Sequence, residues 1–282
     1  MNLMDRPVDW NEVWKEMHGT DERTRKKDRD PGSYWDGRAE SYDRVVADEE
    51  GEASVFELAL MDLLPQDHVL DMGAGTGRLA VPMAARVAHV TALDPSTQML
   101  AYLRKNMEEK GLTNYRCVPM RWEDVVIGRD LGPCDVVVAA YSLGFYDLRG
   151  ALEKLDAAAG RVVYLFWHAG EWRSASEQKL WGKVFGKENG RKGGYPDYIF
   201  IVNVLHDMGI YANVRIYSKD ITVRYATAEE AAERWMRIHD VAEDMRGPVL
   251  RHFKQELMPV ENGYIHFKRS TRAMIWWKKN TG

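Results

Sequence analysis

Two carboxylates and a glycine-rich turn stand near one another in the chain, in an order suited to holding a polar ligand. The segment VLDMGAGTGRLA, residues 69–80, puts Asp71 at the end of an apolar run and Gly73, Gly75 and Gly77 in the turn that follows. Glycine is needed in such a turn because the backbone visits positive φ and because a ligand lies against bare main chain. A dinucleotide fingerprint would require G-x-G-x-x-G/A, but its third small position is occupied by Arg78. Asp71 would also sit badly beside a pyrophosphate, whereas it suits a ligand bearing an ammonium group. Asp94 ends the next apolar run, HVTALD, where a carboxylate can accept both hydroxyls of a ribose. Either acid alone reads as a solvent-facing loop residue. Both at successive strand ends, with the glycine turn between them, argue for a binding site.

These residues need a scaffold, and the hydrophobic pattern supplies one. HVLDM, HVTALD, YRCVPM, CDVVVAAY and RVVYLFW read as short buried strands, with helical stretches over residues 77–86, after Ser96 and around residues 151–158. Ser96 is a suitable N-cap for the helix carrying Met99, Leu100, Leu103 and Met107, and Gly111 suits its end. Strands alternating with helices imply a parallel, doubly wound α/β sheet of the Rossmann-like kind. Trp10, Val13, Trp14 and Met17 recur at helical spacing near the start, and a helix over residues 54–64 is expected to stop at Pro65. Late in the chain, residues 197–208 read as a helix and residues 212–217 as a strand. Thr227 with Glu230 is a capping-box signature, a second helix is expected after Pro248, and RAMIWWKK closes as a strand. The expected fold is a mostly parallel seven-stranded sheet with its last strand antiparallel, N-terminal helices and a C-terminal helical insertion over residues 226–259. The expected division is an N-terminal helical cap over residues 1–52, a binding core over 53–168, and the rest of the sheet with the insertion over 169–282, where the acceptor-binding elements are expected.

Composition narrows the partners. The 282 residues are 45% hydrophobic and 29% charged with a formal net charge of −4, so no general basic field for nucleic acid exists. The basic run over residues 23–29 is bracketed by acids and reads as a solvated linker. No apolar stretch approaches the ~20 residues needed to span a bilayer, and the start MNLMDRPVDW lacks the pattern of a signal peptide. Cys117 and Cys134 form no metal-ligand cluster, so no metal is expected and a cytoplasmic location is. A homodimer is left open.

Residues 33–168, roughly half the chain, resemble the class I S-adenosylmethionine-dependent methyltransferase family. Its first motif is similar to Asp71, Gly73, Gly75 and Gly77, its second-strand acid to Asp94, its segment after the third strand to RWED, and its fourth-strand end to AAYSLG. The family phrase W-x-x-R-A-x-x-Y recurs as Trp35, Arg38, Ala39 and Tyr42, and implies a helical flap over the methionine end of the cofactor. The resemblance implies S-adenosylmethionine as cofactor, bound by Tyr34, Trp35, Arg38, Tyr42, Asp71, Gly73, Ala74, Gly75, Gly77, Asp94, Pro95, Trp122, Glu123, Ala140 and Tyr141. Two departures stand out. The place of the usual adenine-binding acceptor is taken by Arg121, which cannot accept, so Glu123, Asp124 or the Trp122 backbone must serve. The N/D-P-P-Y/F motif of amino-directed nucleic-acid methylases is replaced by residues Ala139, Ala140, Tyr141 and Ser142.

Methyl transfer mainly requires alignment of the acceptor and exclusion of water, with a general base only where the acceptor must lose a proton. His168 and Tyr141 are the candidate catalytic residues. Some of the ten tryptophans, Trp35 and Trp122 among them, are placed to stack on the cofactor, and residues 193–198, GGYPDY, read as a lid or a bare loop. The expected acceptor is a small molecule. The alternatives are a protein or RNA acceptor, or a binding protein without turnover.

Overall fold

The computed structural model describes residues 8–19, 30–46, 51–170, 174–186 and 197–279. The extreme amino terminus, the basic run over residues 23–29 and most of the suggested lid lie outside the described residues. The chain begins with helix α1 (Trp10–Gly19), then α2 (Pro31–Asp36), α3 (Ala39–Val45) and α4 (Gly51–Leu60). The alternating part follows as β1 (His68–Met72), α5 (Ala80–Ala84), β2 (His89–Leu93), α6 (Thr97–Glu109), β3 (Tyr115–Val118), β4 (Cys134–Ala140), α7 (Leu148–Ala158) and β5 (Ala159–His168). The remainder is α8 (Ala175–Phe185), α9 (Tyr198–Asp207), β6 (Asn213–Tyr225), α10 (Ala228–His239), α11 (Arg246–Glu256), β7 (Met258–Val260) and β8 (Gly263–Lys278).

The strands form one sheet in the order β3-β2-β1-β4-β5-β8-β6, with β7 pairing β8. Strands β1 to β5 pair in parallel, and β8 runs antiparallel to both β5 and β6. The sheet is thus Rossmann-like and mostly parallel, but has eight strands rather than seven. The extra strand is β7, three residues that fold back on Gly263, Tyr264 and Ile265.

Side chains alternate between two apolar layers, as a strand's period of two requires. Leu70, Val137, Val163, Leu165 and Trp167 face one layer with Leu152 and Leu155 of α7 and Val204 of α9. Val69, Val136, Val138, Val162 and Phe166 face the other with Leu58 of α4, Met83 of α5 and Leu103 of α6. Helix α1 belongs to the first layer. Trp14 is fully buried near Trp167, ring centroids 6.3 Å apart, and its Nε1 donates to the Phe145 carbonyl at 2.7 Å. Helix α1 packs against α7 and α9, with Trp14 reaching Trp167 of β5, while α2 and α3 pack against α6.

Local caps behave as their residue types dictate. Ser96 Oγ accepts from the Met99 N–H at 3.0 Å, and Thr227 Oγ1 from the Glu230 N–H at 3.1 Å. Helix α4 ends at Leu60, short of Pro65, because Asp67 ties Leu64 into a tight turn through a 2.7 Å bond from the Leu64 N–H to its carboxylate. Helix α11 starts at Arg246, so Pro248 lies in its first turn, where a missing N–H costs little.

The largest departure from expectation is the length of β6 and β8. They pair continuously from Asn213 with Trp276 to Tyr225 with Tyr264, whereas β5 reaches β8 only as far as Arg272. The excess forms a two-stranded ribbon that continues past the end of β5 and carries α10 and α11 between its strands. It has its own apolar cluster, including Leu180, Val223, Ala231, Trp235, Val249 and Phe253. Among the described residues no helix is long and apolar enough to cross a membrane.

Candidate active site

The order of the parallel strands reverses between β1 and β4, and a ligand crevice forms outside the carboxyl ends at such a switch point. The glycine turn occupies that position. The Gly73 and Ala74 N–H groups donate to the Leu93 carbonyl at 2.8 and 3.0 Å, which binds the turn to the end of β2. Gly73 has φ +76°, and a Cβ there would lie 2.3 Å from Cβ of Ser142, whose hydroxyl donates to the Met72 carbonyl at 2.7 Å. The close approach of β1 and β4 therefore demands glycine at 73. Gly77 is needed for a different reason: a Cβ would meet Val81 at 2.8 Å and Leu103 at 3.1 Å, so it lets the turn pack on α6 and faces away from the crevice.

Asp94 is nearly buried and acts as a clasp. One oxygen accepts from the Gly75 N–H at 2.9 Å and the other from the Ser96 N–H at 2.9 Å. Asp71 lies beneath the turn, not in the crevice, and accepts from the Ala80 N–H. Burial pushes its pKa up to about 7, with Arg78 opposing and Asp94 adding to the rise. The expected direct contact of Asp71 with a ligand ammonium gives way to a place underneath the glycine turn, outside the cavity lining.

A cavity of about 440 Å³ opens above these groups. It is lined by Trp35, Tyr42, Gly73, Gly75, Asp94, Pro95, Trp122, Glu123, Ala140, Tyr141 and His168 of the expected set, and by Pro31, Met72, Leu93, Met99, Arg121, Ser142, Gly144 and Phe145 besides. Ala74 is buried, and Asp71 and Gly77 lie behind the lining. Trp122 is 2% exposed and its Nε1 donates to the Ala151 carbonyl at 3.3 Å, so only part of the ring reaches the cavity. Arg121 reaches Glu123 at 3.1 Å on the same wall.

Helices α2 and α3 stand over this cavity and are anchored to α6. One Asp36 oxygen accepts from the Ser96 hydroxyl at 2.6 Å and from the Gln98 N–H at 3.0 Å, and Asn106 donates to Asp43 at 2.9 Å. The Tyr42 ring lies over Gly75 and meets Trp35 edge-on at 5.9 Å. Tyr34 and Arg38 point elsewhere: the Arg38 guanidinium stacks on the Tyr34 ring at 3.9 Å and lines a second cavity.

That second cavity, of about 540 Å³, lies between α2 and α3, α8, the ribbon, and helices α10 and α11. It shares Trp35, Tyr42 and His168 with the first, so these three residues mark the junction. His168 ends β5, is partly exposed, and has its ring 5.1 Å from that of Tyr141.

Tyr141, with the unusual φ of +58°, turns its hydroxyl away from the junction. It donates to Glu57 at 2.7 Å, as does Tyr217 at 2.7 Å. Glu57 is fully buried and also pairs with Arg78 at 2.5 Å and Arg272 at 3.4 Å. Burial opposes its ionisation, but the two guanidinium groups outweigh burial and hold its pKa below the usual carboxylate range. Burial and the Glu57 charge push the Tyr141 hydroxyl well above the ordinary phenol range. Tyr141 is therefore unsuited to remove a proton near neutrality, and of the two candidate bases His168 alone stands at the junction. Sequence reasoning missed Glu57 and Arg272. The one signal for Glu57 was an acid inside the apolar helical run ASVFELAL.

The residues fit an S-adenosylmethionine molecule. The cavity is of cofactor size, Asp94 offers a carboxylate at the ribose end, Leu93, Met99 and Trp122 offer apolar walls to a flat ring, and the turn presents bare backbone. Comparison with known proteins agrees. A family model described as a methyltransferase domain matches residues 69–161. An uncharacterized protein of Haemophilus influenzae is 31% identical over 188 residues, which is 65% of this chain and 66% of that one. The 23S rRNA (uracil(1939)-C(5))-methyltransferase RlmD of Klebsiella pneumoniae is 37% identical over 57 residues, 20% of this chain and 13% of the enzyme. The chain thus spans just under two thirds of the first relative and a small part of the second. The YcgJ protein of Bacillus subtilis shares the fold, with a TM-score of 0.57 at 14% identity over 82% of this chain and 99% of that one. The glycine turn lies inside the stretch that matches a methyltransferase domain, and the sheet beneath it has the fold of the Bacillus subtilis protein.

Proposed function

We propose that the chain catalyses methyl transfer from S-adenosylmethionine in the first cavity to a small-molecule acceptor in the second. The observation that carries this reading is the junction of the two cavities at Trp35, Tyr42 and His168. When bound, the cofactor supplies an electrophilic methyl on a sulfonium, which leaves as the neutral thioether S-adenosylhomocysteine once the carbon–sulfur bond breaks and the bond to the acceptor forms.

The chain's own residues bind, orient and exclude water. In this reading Asp94 takes the ribose hydroxyls while keeping its clasp on Gly75 and Ser96. Gly73, Ala74 and Gly75 form the floor, and Pro95, Trp122, Glu123 and Ala140 form walls. Tyr42 and Trp35 close the methionine end, Tyr141 holds the wall between the cavities, and Asp71 supports the turn from beneath. His168 is the residue placed to take a proton from the acceptor, where one must leave. A concave second cavity of about 540 Å³ suits a compact acceptor better than a polymer. Two free cysteines, Cys117 and Cys134, suit a cytoplasmic location.

The test is transfer of labelled methyl from the cofactor into fractionated cell extract, with S-adenosylhomocysteine binding followed by calorimetry. Label in the small-molecule fraction is expected. Label in protein or RNA would overturn the acceptor class, and cofactor binding without label in any fraction would leave a binding protein without turnover.

A further inference from the structure

The inner wall of the second cavity is the ribbon part of β8. Side chains two apart on a strand share a face, and Lys268, Ser270 and Arg272 all line the cavity. Arg272 lies nearest the junction, paired in register with His168 and held from behind by Glu57. Lys268 stands four residues further along, roughly 13 Å away at ~3.3 Å per residue. Lys268 is half-buried, and its ammonium makes no hydrogen bond or ion pair among the described residues. A cation drawn out of water without a partner costs free energy that an anionic ligand would recover.

The cavity's two carboxylates, Glu177 and Glu256, form no ion pair with Lys268 among the described residues. Glu256 accepts from the Ser176 hydroxyl at 2.7 Å, and Glu177 accepts from the Ser174 N–H at 3.2 Å in the cap of α8. Neighbouring His266 is buried, and burial together with Lys268 pushes its pKa down to about 4, so it is neutral at pH 7. Facing the strand are Trp35, Trp181 and Trp235, flat apolar surfaces suited to an aromatic ring.

We propose that the acceptor is a flat aromatic carboxylate, its acid group anchored by Lys268, its rings against the tryptophan wall and its nucleophilic atom at His168. This deepens the methyl-transfer reading and rests on it. The distance along β8 requires nucleophile and carboxylate at opposite ends of the molecule, on the order of 10 Å apart.

The test uses the full chain and three probes of one shape: a hydroxybiphenyl carboxylate, its carboxamide and its aminomethyl analogue. Binding is read by quenching of tryptophan fluorescence, with and without saturating S-adenosylhomocysteine. The carboxylate is expected to bind at least about tenfold more tightly than the carboxamide, a difference of ~1.4 kcal/mol. K268M should bring the two level, K268R should retain most of the preference, and both variants should keep the melting temperature and S-adenosylhomocysteine affinity of the parent. Equal binding of acid and amide, tighter binding of the amine, or an acid preference that survives K268M would overturn the proposal. Failure of S-adenosylhomocysteine to bind would instead overturn the methyl-transfer reading, while the acid-to-amide ratio without it still judges this one.

Discussion

The two cavities are built from different materials. The first has a floor of main chain at the ends of buried parallel strands. Gly73 and Ala74 hang from the Leu93 carbonyl, and Asp94 clasps Gly75 and Ser96. The second is made of side chains projecting from an antiparallel ribbon and two inserted helices, with a separate apolar cluster behind them. Backbone geometry of this kind tolerates few substitutions, whereas a wall of side chains can be changed one residue at a time. The contrast matches a division between a constant cofactor and a particular acceptor. Glu57 is where the two regions meet, because Arg78 beside the glycine turn and Arg272 in the wall of the second cavity share its carboxylate.

The sharpest way to break this comparison is therefore E57Q. It leaves two arginines around an uncharged partner, and removing one member of a buried ionic group costs about 3–5 kcal/mol. Urea unfolding should show that loss, with weakened binding in both cavities. W235A should cost a similar ~3–5 kcal/mol by opening the ribbon's cluster. Its effect should stay local, with S-adenosylhomocysteine affinity within about twofold of the parent, because distant sites act independently. Calorimetry showing a large loss would mean that the two regions are not separable.

Next comes a pH effect confined to the core. The Asp71 carboxyl titrates at the ordinary 3.8 when unfolded, and burial raises it to about 7 when folded. Between those values the native state holds a proton that the unfolded state has released. Stability should fall as pH rises through that window, by at most ~1.4 kcal/mol per pH unit, and level off above it. D71N should lack this slope, and parallel pH profiles for the two proteins would count against the buried, protonated Asp71. D94A should weaken S-adenosylhomocysteine ten- to a hundredfold, roughly 1.4–2.8 kcal/mol. Unchanged calorimetric binding would remove Asp94 from the ribose role.

The smallest effect is expected at the flap. Asp36 ties it to Ser96 and Gln98, so D36A should loosen residues 31–45 by ~1 kcal/mol. Hydrogen exchange should rise there and remain unchanged in β1. Equal exchange in both proteins would show that packing alone, not this bond pair, holds the flap.

What could be read along the chain was whatever local chemistry determines. Apolar runs of strand length, the glycine turn, the acid at Asp94 and the caps at Ser96 and Thr227 are each set by residues within a few positions of one another, so they leave a readable pattern. The ribbon was underestimated for the opposite reason. The first half of β6 is largely exposed, and residues 218–225 contain Ser218, Lys219, Asp220 and Arg224, so no continuous apolar run announces a strand. The second cavity exists only because β8 pairs with β5 over part of its length and with β6 over nearly all of it. Glu57 and Arg272 are 215 residues apart, and neither carries a local sign of the other. Gly77 and Arg38 show the same limit on a smaller scale. Their types and spacing pointed to the ligand, yet packing on Val81 and Leu103 claimed one, and stacking on Tyr34 turned the other toward the second cavity. Residue type and short-range spacing determined the first cavity of this protein, while the second was decided by tertiary pairing, because its side chains converge from segments that no local period connects.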